Sequence, residues 1–208
     1  MAEFAEVVRN RRMTRAFSPE PVDPAIIDSL VALASRSPSA GKTQGWHVVV
    51  LEGADTARYW DITLPTEKRE TFRWTQLVDA PVVMVALADP DAYVERYAEP
   101  DKARTGLGES VDAWPTPYWT IDASMAVMTL LYAAEDVGLG ALFFGVFQRE
   151  DEVRAELGVP DRLQTIGAVA VGHPAPDLGT DDDGSAGAGR SATRVRRRPD
   201  EIIHRGGW

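Results

Sequence analysis

The sequence predicts a mixed domain in which helices and strands interleave around one very apolar helix. Three observations carry this. Residues 46–51, 82–88 and 165–171 are short apolar runs, rich in β-branched or small residues and bounded by turn formers, the pattern of buried strands. Residues 24–34 set apolar side chains at helical spacing behind an Asp-Pro start. Residues 118–137 are apolar almost all round over about five helical turns, which requires burial on most sides.

Each element follows in order. Phe4, Val7 and Val8 keep helical spacing, so a first helix ends near Arg11 or Arg12. Asp23 caps the second helix, Pro24 takes its first position, and Ile26, Ile27, Leu30, Val31 and Ala34 form one face; it stops before Pro38. Residues 38–45 mix Pro, Ser and Gly and read as a loop at one end of a sheet. Residues 54–78 are polar with scattered aromatics and read as helical, broken at Pro65. The second strand enters behind Asp79-Ala80-Pro81, and a short helix follows Asp89-Pro90. Residues 99–117 form a long irregular connection of the lid type, with Trp114 read as exposed. Gly138 ends the apolar helix. An apolar run at 142–147, interrupted by Gly145, and a short helix at 150–157 precede the third strand.

The 208 residues are 44% hydrophobic and 26% charged, ordinary globular composition with enough chain for a substantial core. We expect one domain over 1–176, a flexible connector over 177–193 rich in Asp, Gly, Ser and Ala, and a C-terminal arm over 194–208. Ile202, Ile203 and Trp208 on that arm need a surface to pack on, which suggests docking on another subunit. No apolar run approaches the roughly 18 residues of a membrane span, and the N-terminal stretch lacks a secretory pattern. A cytoplasmic protein with no membrane partner is expected.

Composition also narrows the chemistry. Zero cysteines exclude disulfides, thiolate metal sites and a thiol nucleophile. The formal charge of −10 opposes a nucleic-acid partner. Basic residues are nevertheless clustered: Arg9, Arg11, Arg12 and Arg15 near one end, Arg190, Arg194, Arg196, Arg197 and Arg198 near the other. Two positive islands on an acidic chain suggest a small anion. The Gly-Lys-Thr at 41–43 is not a phosphate loop, because Arg36 stands where the leading glycine is needed and a helix precedes it. Gly138 and Gly140 lack the third glycine of a dinucleotide turn. His47, His173 and His204 have no metal-ligand spacing, so no metal is expected, and Asp122 reads as a helix-end cap or polar core contact. No side chain stands out as a catalytic acid, base or nucleophile; a bound anionic cofactor carrying the reactivity fits better. Taken singly, the first arginine cluster equally suits an exposed helix end, the run 196–198 a solvated tail, and Phe143 and Phe144 plain core.

Four blocks together are more specific. Residues 11–17 (RRMTRAF), 38–46 (PSAGKTQGW), 138–140 with 143–145 (GLG, FFG) and 197–199 (RRP) occur in an order and at separations that resemble the FMN-dependent nitroreductase family. That resemblance spans nearly the whole chain. It implies an α+β fold with a central, mostly antiparallel sheet wrapped by helices, and an intertwined homodimer with FMN sites at the subunit interface. It implies that Arg11, Arg12, Met13 and Arg15 hold the phosphate and ribityl chain, joined by Arg197 and Arg198. Pro38, Ser39, Ala40 and Lys42 match the loop along the flavin ring, and Arg73 and Gln76 the positions at its pyrimidine edge. Leu142, Phe143, Phe144 and Gly145 match the segment whose backbone faces flavin N5. Met13, Lys42 and Gly45 depart from the family's usual Ser or Thr, Asn and Pro. The implied activity is hydride transfer from NADPH or NADH to a small electron-poor acceptor such as a nitroaromatic or quinone. The 99–119 segment around Trp114 and Trp119 would shape the acceptor pocket. Relatives that only store flavin, or that reduce halogenated or deazaflavin-linked substrates, are equally compatible with these blocks.

Overall fold

Helix starts follow local chemistry, whereas strand ends follow partners distant in sequence. The computed structural model describes residues 3–146, 148–175 and 194–208. It opens with α1 (Phe4–Asn10), where Val7 is buried while Phe4 and Val8 stay exposed. Asp23 accepts a 2.9 Å hydrogen bond from the Ala25 amide and starts α2 (Pro24–Ala34), with Ile27, Leu30 and Ala34 buried. A 3₁₀ turn at Ala40–Lys42 leads into β1 (Trp46–Glu52). The helical stretch after it is divided into α3 (Ala57–Thr63) and α4 (Thr66–Arg69), with the break at Leu64 and Pro65. Next come β2 (Val82–Ala88) and α5 (Pro90–Ala98), which Asp89 caps through the Asp91 and Ala92 amides. The apolar α6 (Tyr118–Asp136), β3 (Gly140–Phe144), α7 (Glu150–Glu156) and β4 (Gln164–Gly172) complete the described elements.

The four strands form one antiparallel sheet in the order β1-β2-β4-β3. Alternation of side chains sends Met84, Ala86, Val169, Val171 and Ala141 to the face covered by α2 and α6. Val83, Val85, Ala168, Ala170 and Leu142 go to the other face, packed against Tyr59 and Trp60 of α3 and Val153 of α7. With helices on both faces, β2 is buried along its whole length, which explains its unbroken apolar run. The α+β class and the antiparallel sheet are therefore as the family resemblance implies.

Two expectations change. Trp114 is only 8% exposed: its Nε1 donates to the Leu107 carbonyl at 2.9 Å, and its ring meets Tyr93, Tyr97 and Trp119. The irregular 99–117 connection is thus pinned to α5 by an aromatic cluster. β3 begins at Gly140 and ends at Phe144, earlier than the 142–147 apolar run, because pairing with Gly172 through Ala168 of β4 fixes its span. Phe147 and the connector expected at 177–193 lie outside the described residues. The arm 194–208 is exposed throughout in the single chain, and Ile202, Ile203 and Trp208 touch no core.

Candidate functional site

The first arginine segment is built into the sheet edge. After α1 the chain runs beside β3, where Met13 bridges Ala141 and the Thr14 amide donates to the Ala141 carbonyl at 3.0 Å. Arg15 folds back to donate from Nη1 to the Met13 carbonyl at 3.2 Å. Two residues on, the Phe17 amide donates to the Gln76 carbonyl at 3.2 Å, which joins this segment to the one carrying Arg73 and Gln76. The indole of Trp74 is in reach of two cations, with the guanidinium carbons of Arg15 and Arg73 at 5.4 and 5.5 Å from its ring.

These segments frame an open cleft of about 410 Å³. Arg15 and Trp74 stand on one side, Leu142, Phe143, Phe144 and Gly145 on another, and Tyr59, Trp60 and Phe72 line the apolar remainder. Trp60 lies parallel to Phe144, 5° between planes and 6.0 Å between centroids. Burial pushes the Tyr59 phenol well above its ordinary range, so it stays neutral at the foot of this wall.

Buried polar atoms without partners lie on the segments beside the cleft. Arg11 Nη1 and Gln76 Oε1, on the two segments that frame it, are both buried with no hydrogen-bond partner. An orphaned buried group of this kind costs about 1–3 kcal/mol, more when charged, so such atoms mark places for a ligand. A guanidinium N–H needs an acceptor and suits a phosphate; an amide oxygen needs a donor and suits a ring N–H. The flat aromatic walls of the neighbouring cleft suit a planar ring system. An FMN-like molecule fits this donor set. Trp60 Nε1 is a third buried atom without a partner, on the apolar wall.

The structure thus brings together Arg11, Arg12, Met13 and Arg15 with Leu142, Phe143, Phe144 and Gly145 through the Met13–Ala141 bridge, and with Arg73 and Gln76 through Phe17. It does not bring Pro38, Ser39, Ala40 and Lys42 to them within one chain. That loop enters β1, the opposite edge strand, at the end where Trp46 pairs with Ala88. Three strand spacings, roughly 14 Å, separate the two edges. Nor do Arg197 and Arg198 reach the cleft: Arg197 donates to the Glu201 carbonyl, and Arg198 pairs with Asp200 at 3.0 Å within the arm. Trp119 donates from Nε1 to Gln164 at 2.8 Å and, with Trp114, belongs to the 38–45 side of the molecule.

Sequence reasoning missed Tyr59, Trp60, Phe72 and Trp74 as cleft residues. Their signal was present, since four aromatics within 59–74 are dense for a polar stretch, and Trp74 directly follows Arg73. Of the two readings of Asp122, helix-end cap or polar core contact, the second holds: buried, it accepts from the Ala40 amide and the Tyr93 hydroxyl, both at 2.7 Å. Burial, reinforced by the Asp122 hydrogen bond, raises the Tyr93 phenol far above its usual value. Among the described residues no group of three or more His, Asp and Glu could hold a metal ion, and no helix is long and apolar enough to cross a membrane.

Comparison with known proteins agrees with this fold. A relative from Archaeoglobus fulgidus, provisionally named an NADH dehydrogenase/NAD(P)H nitroreductase, is 26% identical over 178 residues, covering 84% of this chain and 87% of that one. The NADH dehydrogenase of Thermus thermophilus is 27% identical over 185 residues, covering 80% and 84%. The fold matches the crystal structure of a provisionally named nitroreductase from Exiguobacterium sibiricum in complex with FMN, with a TM-score of 0.74 at 17% identity over 98% and 97% of the two chains. The profile of the nitroreductase family matches residues 8–173, the span that holds the sheet, the arginine segment on its edge and the aromatic cleft, and the chain belongs to that family.

Proposed function

We propose that this protein is an FMN-dependent oxidoreductase that passes a hydride from NADPH or NADH to an electron-poor acceptor such as a nitroaromatic or quinone, the two substrates taking the same place in turn. The observation that carries the reading is the pair of buried, unpartnered atoms, Arg11 Nη1 and Gln76 Oε1, on the segments framing an aromatic cleft. The FMN complex of the Exiguobacterium structure and the NAD(P)H in the name of the Archaeoglobus relative support it.

Bound FMN would supply the two-electron chemistry, at its N5. The chain supplies binding and positioning. Arg11, Arg12 and Arg15 hold the phosphate and ribityl end, where each charge-assisted bond is worth about 1.5–3 kcal/mol. Gln76 accepts from the ring's pyrimidine edge, and Arg73 sets a positive charge where negative charge accumulates. The backbone at Leu142, Phe143, Phe144 and Gly145 offers N–H donors, so side chains there are free to form the wall. Trp60, Phe144 and Phe72 keep water from the stacked ring.

The Pro38–Lys42 loop stands at the far edge of the sheet, so a site that uses it draws it from a second copy. Exposed apolar groups support such a homodimer: Tyr118 and Ile121 on α6, and Ile202, Ile203 and Trp208 on the arm. Docking of that arm would also carry Arg197 and Arg198 toward the phosphate.

The purified protein should be yellow, and anaerobic NADPH or NADH should bleach the flavin absorbance, which nitroaromatic or quinone then restores. A yellow protein that stays oxidised with every donor would instead be a flavin store. A colourless protein that takes up no added FMN overturns the reading, and a monomer that still holds FMN overturns the shared site.

A further inference from the structure

The loop 39–44 is held in an unfavourable shape by groups far from it in sequence. Gly41, Lys42 and Gln44 have φ of 60°, 56° and 56°, and the last two carry side chains that disfavour this left-handed region. Within the loop, the Lys42 amide donates to the Ser39 carbonyl at 2.9 Å and the Gln44 amide to Ser39 Oγ at 2.8 Å. Two outside groups clamp it. Asp122 Oδ2, on α6, accepts from the Ala40 amide and from the Tyr93 hydroxyl of α5, each at 2.7 Å. Arg96 donates from Nε to the Gly41 carbonyl at 2.9 Å while its Nη1 pairs with Asp101 at 2.8 Å.

We propose that Asp122 is a positioning residue: its buried carboxylate ties Ala40 to Tyr93 and so sets the loop in the shape with which one copy closes the flavin site of another. The flavin half of this statement rests on the proposed function; the ordering of the loop does not. Asp122 and Tyr93 are 5% and 0% exposed, so the contact is shielded from competing water. A single oxygen accepts both bonds, so asparagine can reproduce the contact through its carbonyl, whereas alanine orphans the Ala40 amide and leaves the Tyr93 hydroxyl with only its Ser39 contact. Arg96 remains in place in either variant, so the loop loosens without the domain losing its second anchor.

Lys42 is exposed, and trypsin requires an extended backbone that the turn denies it. In flavin-free protein, Asp122→Ala should speed tryptic cleavage after Lys42, read by mass spectrometry, by about tenfold, and Asp122→Asn by no more than about twofold. In the same preparations, FMN affinity measured by flavin fluorescence should fall about tenfold in Asp122→Ala and stay near its original value in Asp122→Asn. Unchanged cleavage in Asp122→Ala, or equal acceleration in both variants, overturns the proposal. Faster cleavage with unaltered FMN affinity overturns the positioning role. If the unsubstituted protein takes up no FMN while the cleavage pattern holds, it is the flavin reading that fails and the clamp that stands. Should Asp122→Ala fail to fold, Tyr93→Phe keeps the ring and removes one of the two donors to Asp122 together with the hydroxyl's contact to Ser39 of the loop; cleavage after Lys42 should then rise about threefold, and no rise counts against the clamp.

Discussion

Gly140 leaves open the space that Thr14 fills. A Cβ built on Gly140 would stand 2.7 Å from both Thr14 Cγ2 and Oγ1 and 2.9 Å from Thr14 Cβ. Turning the threonine side chain relieves the first two contacts and leaves the third, so any residue but glycine displaces the backbone of the arginine segment. This glycine is therefore what lets Met13 bridge Ala141 and sets Arg15 at the cleft.

Gly140→Ala should accordingly destabilise the protein by about 1–3 kcal/mol, the usual cost of overpacking, and weaken FMN retention as well. Thermal melting and flavin fluorescence measure the two effects. Adding Thr14→Gly to the same chain should recover both. If Gly140→Ala melts at the original temperature and holds FMN as before, the close approach has no part in setting the segment.

Arg11→Ala separates binding from folding. In flavin-free protein, removing an arginine whose buried Nη1 has no partner should leave stability unchanged or slightly raised, because the uncompensated desolvation of that atom is relieved. FMN affinity should nevertheless fall by about one to two orders of magnitude, the equivalent of one charge-assisted bond. Melting curves with and without FMN test both halves. An unchanged flavin-induced rise in melting temperature would remove Arg11 from the phosphate site.

Much of this was legible in the sequence where the cause is local. The start of α2 follows from Asp23 and Pro24 alone, and β2 from an apolar run that needs no partner to be recognised. What stayed hidden depends on distant neighbours. Gly140 disfavours a strand by propensity, yet it begins β3 because Gly172 lies opposite and Thr14 leaves no room for more. Trp114 reads as exposed in a polar stretch and becomes buried only when Tyr93, Tyr97 and Trp119 converge on it. Trp60 and Trp74 carry no motif; the first becomes a wall by facing Phe144, the second by meeting two arginines. The arginine segment was readable as an anion site, but its lack of an internal partner at Nη1 is a property of the packed chain.

Trp74 should act on flavin binding through the two guanidinium groups. Each contact at such an exposed site is worth about 0.5–1 kcal/mol, so Trp74→Ala should weaken FMN about fivefold, and Trp74→Phe, which keeps a ring face, by less. Combining Trp74→Ala with Arg73→Ala should give little more than the larger single effect if the indole works by orienting Arg73. Fully additive losses in this double-mutant cycle would show that the two residues act independently.

Alkaline stability offers a test that involves no ligand. Burial raises the Tyr59 phenol above its ordinary value near 10, and burial together with Asp122 does the same for Tyr93. In the unfolded chain both phenols lose their protons near pH 10, whereas in the folded chain they keep them. The unfolded state then binds fewer protons than the native one, so the contribution is complete below about pH 10 and is lost as pH rises above it. Urea unfolding midpoints should therefore decline between about pH 9 and 11.5, and Tyr59→Phe, which deletes one of the two phenols, should decline less steeply than the original protein. Tyr59 is the cleaner choice because Tyr93→Phe also disturbs Asp122 and the loop it holds. Parallel declines for the original and Tyr59→Phe proteins would mean that the Tyr59 phenol titrates alike in both states, contrary to its burial beside Trp60.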